Sequence, residues 1–225
     1  MAAKKTYFVV GTDTGVGKTV LTALIARQLR NQGVNVMAVK PFCSGGRDDA
    51  RWIREALGHS VTLDEINPWH FRAALTPLLA ARKAGTRVEL SECLKFLEAA
   101  RRGCDTLLIE GAGGLLSPLG EGFDARDLIV KTNAIPLIVC PNRLGAINQI
   151  RLAQAALPKR IADRSRVVLV NPVKRGIVER TNFEILREIV AESRIISFPQ
   201  IDWPGVLAVN RLSGRVVRAI QTLMG

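Results

Sequence analysis

The sequence has little with which to build a metal centre or a disulfide framework. Its four cysteines, Cys43, Cys93, Cys104 and Cys140, form no C-x-x-C pair and no zinc-type spacing. They read as small core or loop residues of a reducing compartment. The two histidines, His59 and His70, lack a second ligand at metal spacing and read as structural. No N-terminal stretch runs charged, then apolar, then small as a secretory signal does, and the apolar runs stop well short of the about 20 residues of a transmembrane span. A soluble, cytoplasmic protein is expected. Absent too are repeats, low-complexity tracts and any Pro/Gly/Ser linker long enough to divide the chain, so residues 1–225 are expected to form one domain. No Ser/His/Asp or Cys/His set suggests nucleophilic catalysis.

What is present is a large apolar fraction, 48%, which excludes disorder as the main state. The 32 Lys and Arg against 20 Asp and Glu leave a net charge of +12, and residues 141–225, with 14 basic and 6 acidic residues, carry eight of those charges. Such an excess speaks to association with anions, from nucleic acid or a membrane surface down to a small anionic substrate; a generally basic surface around a small-molecule site is the expectation.

Short Val/Ile/Leu runs alternate with helical patterns, the order of parallel strands joined by crossover helices. Strands are expected at Thr6–Val10, Val34–Val39, Thr106–Ile109, Ile135–Val139, Arg166–Val170 and Arg194–Ser197. Helices are expected at Lys18–Asn31, Ala50–Leu57, Pro77–Lys83, Leu90–Arg102, Ala125–Thr132, Ile147–Ala156 and Glu179–Glu192. The fold class is therefore α/β, with a mostly parallel twisted sheet and helices on both faces. A final amphipathic stretch, Leu212–Met224, gathers Val216, Val217, Ile220, Leu223 and Met224 on one face, which is expected to pack on the core rather than on a membrane.

The strongest motif is Gly11-Thr12-Asp13-Thr14-Gly15-Val16-Gly17-Lys18-Thr19, directly after a strand and directly before a helix. In a phosphate-binding loop, glycines turn backbone N–H groups toward phosphate oxygens, the lysine reaches the terminal phosphates, and the hydroxyl of Thr19 ligates Mg²⁺. The glycine expected at position 12 is Thr12, and Gly11 stands one residue earlier. Glu110 ends the strand Leu107-Leu108-Ile109 ahead of Gly111-Ala112-Gly113-Gly114, placing a carboxylate in the crevice where ligands of parallel sheets bind. Asp48-Asp49 opens a helix, where one carboxylate would serve as an N-cap. Lys40 and Ser44 follow the second strand and bring an ammonium and a hydroxyl to the same sheet edge.

Together these segments resemble the dethiobiotin synthetases, a P-loop NTPase family. The resemblance rests on Gly-Thr-Asp-Thr-Gly-Val-Gly-Lys-Thr at 11–19, Lys-Pro-x-x-Ser-Gly at 40–45, Asp49-Ala50, Asn67-Pro68, Thr76-Pro77, Glu110 to Gly114 with Pro118-Leu119, and Leu144-Gly-Ala-Ile-Asn148. It runs from about residue 6 to about 175, with a shorter stretch than usual between Gly45 and Asp49. It implies formation of the ureido ring of dethiobiotin from 7,8-diaminopelargonate and CO₂, with ATP as co-substrate and Mg²⁺ as cofactor. It also implies Lys18, Lys40 and Thr14 as catalytic residues and Thr14, Lys40, Ser44 and Asn148 as substrate ligands. ATP would meet Thr14, Gly15, Val16, Gly17, Lys18, Thr19, Asp49, Glu110, Gly111, Ala112, Gly113, Asn171 and Pro199, and Thr19, Asp49 and Glu110 would hold the metal. A homodimer is implied, with Asn148 serving the partner's site and neither nucleic acid nor membrane as partner. The rival by fold is a partition- or division-site ATPase switch on DNA or membrane, favoured by the basic charge; those proteins carry a lysine early in the loop, where this chain has Asp13. An amidoligase of the cobyrinic acid type would also use ATP, but normally with a glutaminase domain attached.

Overall fold

The computed structural model describes residues 4–174, 176–190, 194–201 and 212–225; the expected helix at Glu179–Glu192 ends on a residue outside that set. The first strand, β1 (Lys5–Gly11), is buried from Tyr7 onward. Helix α1 (Lys18–Asn31) follows, with Leu21, Leu24, Ile25 and Leu29 recurring at helical spacing and buried. Gly33, at φ 76°, then turns the chain into β2 (Val36–Val39). Next come β3 (Phe42–Ser44), α2 (Asp48–Ala56), α3 (Leu63–Ile66), β4 (Trp69–Phe71), α4 (Pro77–Lys83) and α5 (Leu90–Arg102), leading to β5 (Thr106–Gly114). A small hairpin, β6 (Pro118–Gly120) and β7 (Phe123–Asp124), delivers α6 (Ala125–Thr132), which a reciprocal Asp124/Asp127 capping box starts. The remainder is β8 (Ile135–Pro141), α7 (Ala146–Ala155), α8 (Lys159–Ala162), β9 (Arg166–Asn171), α9 (Ile177–Ile189), β10 (Ile195–Pro199) and α10 (Gly214–Met224).

Six strands form one sheet in the order β10-β9-β8-β1-β5-β2, every neighbouring pair parallel. Because side chains alternate across a strand, Tyr7 and Val9 join α1, α2 and α10 on one face, whereas Phe8 and Val10 join α4, α5 and α6 on the other. Cys140, Ile150, Leu169 and Leu186 make a third cluster beneath α7 and α9. The expected doubly covered parallel sheet is thus present. α10 docks on it: Val216, Ile220 and Leu223 are buried, and the last carbonyls accept from Lys5, Tyr7 and Arg166.

Several boundaries move. β2 begins at Val36, two residues later than the apolar run, and β5 continues five residues past Ile109 through the glycines. α2 begins at Asp48 with Arg47 as its N-cap, so Asp48 is not a cap: it pairs with Arg51 across one turn at 2.5 Å. The parallel pair β3–β4 and the β6–β7 hairpin are strands of two or three residues, too short to show any periodicity in sequence.

The chain runs from β1 to the β2–β5 side and afterwards to the β8–β10 side. The order therefore reverses at β1, and a crevice opens at its carboxyl end.

Candidate active site

The loop from Gly11 to Gly17 leaves β1 in this crevice. Gly11 accounts for the displaced motif glycine: a Cβ there would lie 2.6 Å from the Asp13 carbonyl oxygen and 2.9 Å from the Lys18 Nζ. Position 12 needs no glycine, and Thr12 ties the loop to β8 by donating its N–H to the Val139 carbonyl at 3.0 Å. Gly15 and Gly17 stand at φ 72° and 98°, a conformation that side chains resist. Gly17 caps α1 without a side-chain bond, which leaves N–H groups of its first turn pointing into the crevice.

Beneath the loop lies a buried ionic cluster. The Lys40 Nζ stands 2.6 Å from Glu110 Oε1 and 2.5 Å from Asp49 Oδ2, and the Thr19 hydroxyl donates to the same Glu110 Oε1 at 2.7 Å. Burial by itself would lower the Lys40 pKa, but Glu110 and Asp49 outweigh it and hold the ammonium above the ordinary lysine range. Lys18, which donates to the Asp13 carbonyl at 2.8 Å, is lowered to about 8, first by burial; Glu110 opposes that shift and the neighbouring Lys40 adds to it. Cys43 beside them is pushed up to about 12 by burial, so it stays a thiol and is no nucleophile.

Glu110 Oε2 is buried with no hydrogen-bond partner. An orphan carboxylate oxygen at that depth is costly, and with the Thr19 hydroxyl and Asp49 nearby it fits a hard cation with oxygen ligands. Among the described residues no three His, Cys, Asp or Glu side chains converge, so such a cation would draw its other ligands from hydroxyl, phosphate and water.

Two cavities meet at the loop. One, of about 610 Å³, is lined by Thr14, Gly15, Gly17, Lys18, Thr19, Lys40, Ser44, Asp49, Ala112 and Gly113, and adds apolar walls from Trp52, Leu75 and Pro77. The other, of about 530 Å³, is lined by Gly15, Val16, Gly17, Asn142, Arg143, Val170, Phe198, Pro199 and Gln200. Glu110 and Gly111 lie buried in the middle of β5. Asn171 is buried behind the second cavity: its Nδ2 donates to Leu169 O, Ser197 Oγ and Phe198 O, and its Oδ1 accepts from Asn142. Asn148 is brought to neither cavity; it is exposed in the first turn of α7. The cavity-lining Trp52, Asn142 and Arg143 carried no motif and went unforeseen.

A phosphate loop at the switch point of a parallel sheet, with a carboxylate of the neighbouring strand behind it, defines a P-loop ATPase. A family model described as an AAA domain matches residues 5–202. The ATP-dependent dethiobiotin synthetase BioD of Akkermansia muciniphila is 38% identical over 167 residues, 74% of this chain and 78% of its own. That of Methanococcus vannielii is 31% identical over 190 residues, 80% and 90% of the two chains. The chain belongs to the dethiobiotin synthetase family and is an ATP-dependent ligase of biotin biosynthesis. Among solved structures, the MinD cell division protein of Aquifex aeolicus superposes with a TM-score of 0.59 at 16% identity, covering 98% of this chain and 97% of that one. A ParA family ATPase of Chlorobium tepidum gives 0.58 at 14%, covering 99% and 98%. These likenesses are of fold alone. No described helix is long and apolar enough to cross a membrane.

Proposed function

We propose that the chain closes the ureido ring of dethiobiotin from 7,8-diaminopelargonate, CO₂ and ATP, through a carbamate and a carbamic-phosphoric anhydride. The observation that supports this most is the composition of the larger cavity: two ammonium groups and a hydroxyl-carboxylate pair share it with Trp52, Leu75 and Pro77. That lining suits a charged reaction centre attached to an alkyl chain. An amine of the substrate gives up a proton and takes CO₂ as a carbamate. A carbamate oxygen attacks the γ-phosphorus and ADP leaves; the second amine then attacks the carbonyl carbon and phosphate leaves.

Phosphoryl transfer depends on positioning and charge stabilisation, and these residues supply both. N–H groups from Gly15 to Thr19 cradle phosphate oxygens, and Lys18 reaches the transferred group. Lys40 faces charge on the carbamate. Thr14 and Ser44 fix the diamine and carbamate; the Ser44 Oγ is buried without a partner and so is free to bind. Gly111, Ala112 and Gly113 let the β5 backbone approach the nucleotide. Thr19, Glu110 and Asp49 would hold Mg²⁺, which when bound neutralises charge on phosphate oxygens. The nucleobase occupies the second cavity, beside Pro199 and Asn142, with Asn171 behind that wall holding Asn142 in place.

On this reading the working unit is a homodimer. Gly145 caps α7 at φ 90° with no side-chain bond, which leaves an N-terminus beside Asn148 able to take the substrate's distant carboxylate from the other subunit. Leu144, Val173 and Ile177, exposed at 85%, 87% and 69%, supply apolar surface for that contact. The four free thiols fit a cytoplasmic setting.

The test supplies ATP, Mg²⁺, bicarbonate and 7,8-diaminopelargonate, then omits each in turn while phosphate release and product mass are followed. Each omission is expected to abolish product. Equal ATP turnover without the diamine, stimulated instead by DNA or lipid, would favour the switch reading.

A further inference from the structure

The motif Asn67-Pro68 lies outside the site, yet Asn67 is fully buried and every polar atom of its amide is engaged. Its Nδ2 donates to the carbonyls of Lys40 at 2.9 Å, Pro41 at 3.1 Å and Trp69 at 3.2 Å. Its Oδ1 accepts from the Arg47 Nε at 3.1 Å, while the Arg47 Nη2 donates to the Asn67 carbonyl at 2.9 Å and to Asp64 at 2.7 Å. Asn67 thus grips the backbone of the residue that carries one ammonium of the site, and through Arg47 it grips the N-cap of α2, two residues before Asp49.

We infer that Arg47 and Asn67 form a clamp that sets Asp49 opposite Lys40, and that both are positioning residues for the reaction. Only Gly45, Gly46 and Arg47 connect β3 to α2, and two glycines hold a helix start loosely. The guanidinium supplies what that connection lacks. It approaches Asn67 through two nitrogens in the fork geometry that a lysine does not reproduce. The Lys40–Asp49 contact at 2.5 Å therefore depends on a residue that itself lines neither cavity.

This inference rests on the role proposed for Asp49, and the experiment separates the two. Arg47→Ala, Asp49→Ala and the double variant are assayed for dethiobiotin formation, and hydrogen exchange of residues 47–53 is followed without ligands. Arg47→Ala is expected to lower kcat by about 10–100-fold, the usual effect of losing a partner that orients a site residue. KM for ATP should change less than about threefold, the second cavity being untouched. Exchange in the first turns of α2 should quicken by at least about tenfold while β1 and β5 stay protected. In the Asp49→Ala background, adding Arg47→Ala should cost little more, because the clamp acts through Asp49. Arg47→Lys, keeping charge without the fork, should fall between wild type and Arg47→Ala. Full multiplicative losses in the double variant, or unchanged exchange in Arg47→Ala, overturn the clamp. Wild-type turnover in Asp49→Ala instead removes the proposed role of Asp49.

Discussion

Lys40→Met tests the buried ionic cluster directly, because methionine keeps the length and apolar stem of lysine and removes only its charge. In the native chain the Lys40 and Glu110 side chains are 8% and 0% exposed, so neither charge is solvated by bulk water. Removing the ammonium leaves the Glu110 carboxylate buried, with the Thr19 hydroxyl on Oε1 and nothing on Oε2. Breaking one side of a buried pair costs about 3–5 kcal/mol. For a chain of this size that corresponds to a Tm roughly 6–20 °C lower. Glu110→Gln placed on Lys40→Met removes the stranded charge and should recover most of the loss. Melting curves and urea titrations of the single and double variants at pH 7.5 give the coupling energy. A Lys40→Met protein melting within about 2 °C of wild type, or a double variant no more stable than Lys40→Met, refutes the argument.

Lys18, at a pKa of about 8, is increasingly neutral above that pH, and phosphates should restore its charge on binding. Affinity for a non-hydrolysable ATP analogue should therefore fall about tenfold from pH 7.5 to 9, with proton uptake measurable by calorimetry in buffers of different ionisation enthalpy; a flat profile counts against it. Glu110→Gln should raise the Mg²⁺ concentration for half-maximal turnover, and Asp49→Asn should do likewise, since an amide is a poorer ligand for a hard cation. Unchanged titrations in both would remove the carboxylates from the metal site. Asn148→Ala should raise KM for the diamine several-fold and spare that for ATP, and mixing it with Lys18→Ala chains should restore activity through one hybrid site. No rescue in a verified heterodimer excludes the shared site.

The phosphate loop was legible because Gly-Lys-Thr sat between an apolar strand and a helix, and the same rule located Lys40 directly after β2; Glu110, expected to end its strand, lies within β5, whose pairing runs on through the glycines. The sheet followed from apolar runs of four to six residues whose burial is two-sided. Contacts made across space were not legible. Arg47 meets Asn67 over 20 positions, and nothing in either residue type announces the pairing. Asp48 and Asp49 are adjacent carboxylates that sequence cannot separate; the helix start does, turning Asp49 to Lys40 and Asp48 to Arg51. Asn171, which the resemblance assigns to the nucleotide, has its amide nitrogen on three acceptors and its oxygen on Asn142, a network spread over β8, β9 and β10 that no local pattern announces.

The reversal of strand order at β1 has a bearing on how this enzyme would change. The wall around Lys40, Trp52 and Leu75 is drawn from residues 40–117, and the wall around Asn142 and Pro199 from residues 141–201; only the loop at 14–21 serves both. On the proposed reading, the pocket for the amine end of the substrate and the pocket for the nucleoside are therefore written in separate stretches of the gene, whereas the carboxylate site at Asn148 travels with the nucleoside stretch. Recombination between relatives at the α6–β8 junction would leave the amine pocket with its own neighbours while exchanging the nucleoside pocket and that carboxylate site together, so a hybrid would keep its reaction centre and change how it holds both the phosphoryl donor and the far end of the acceptor.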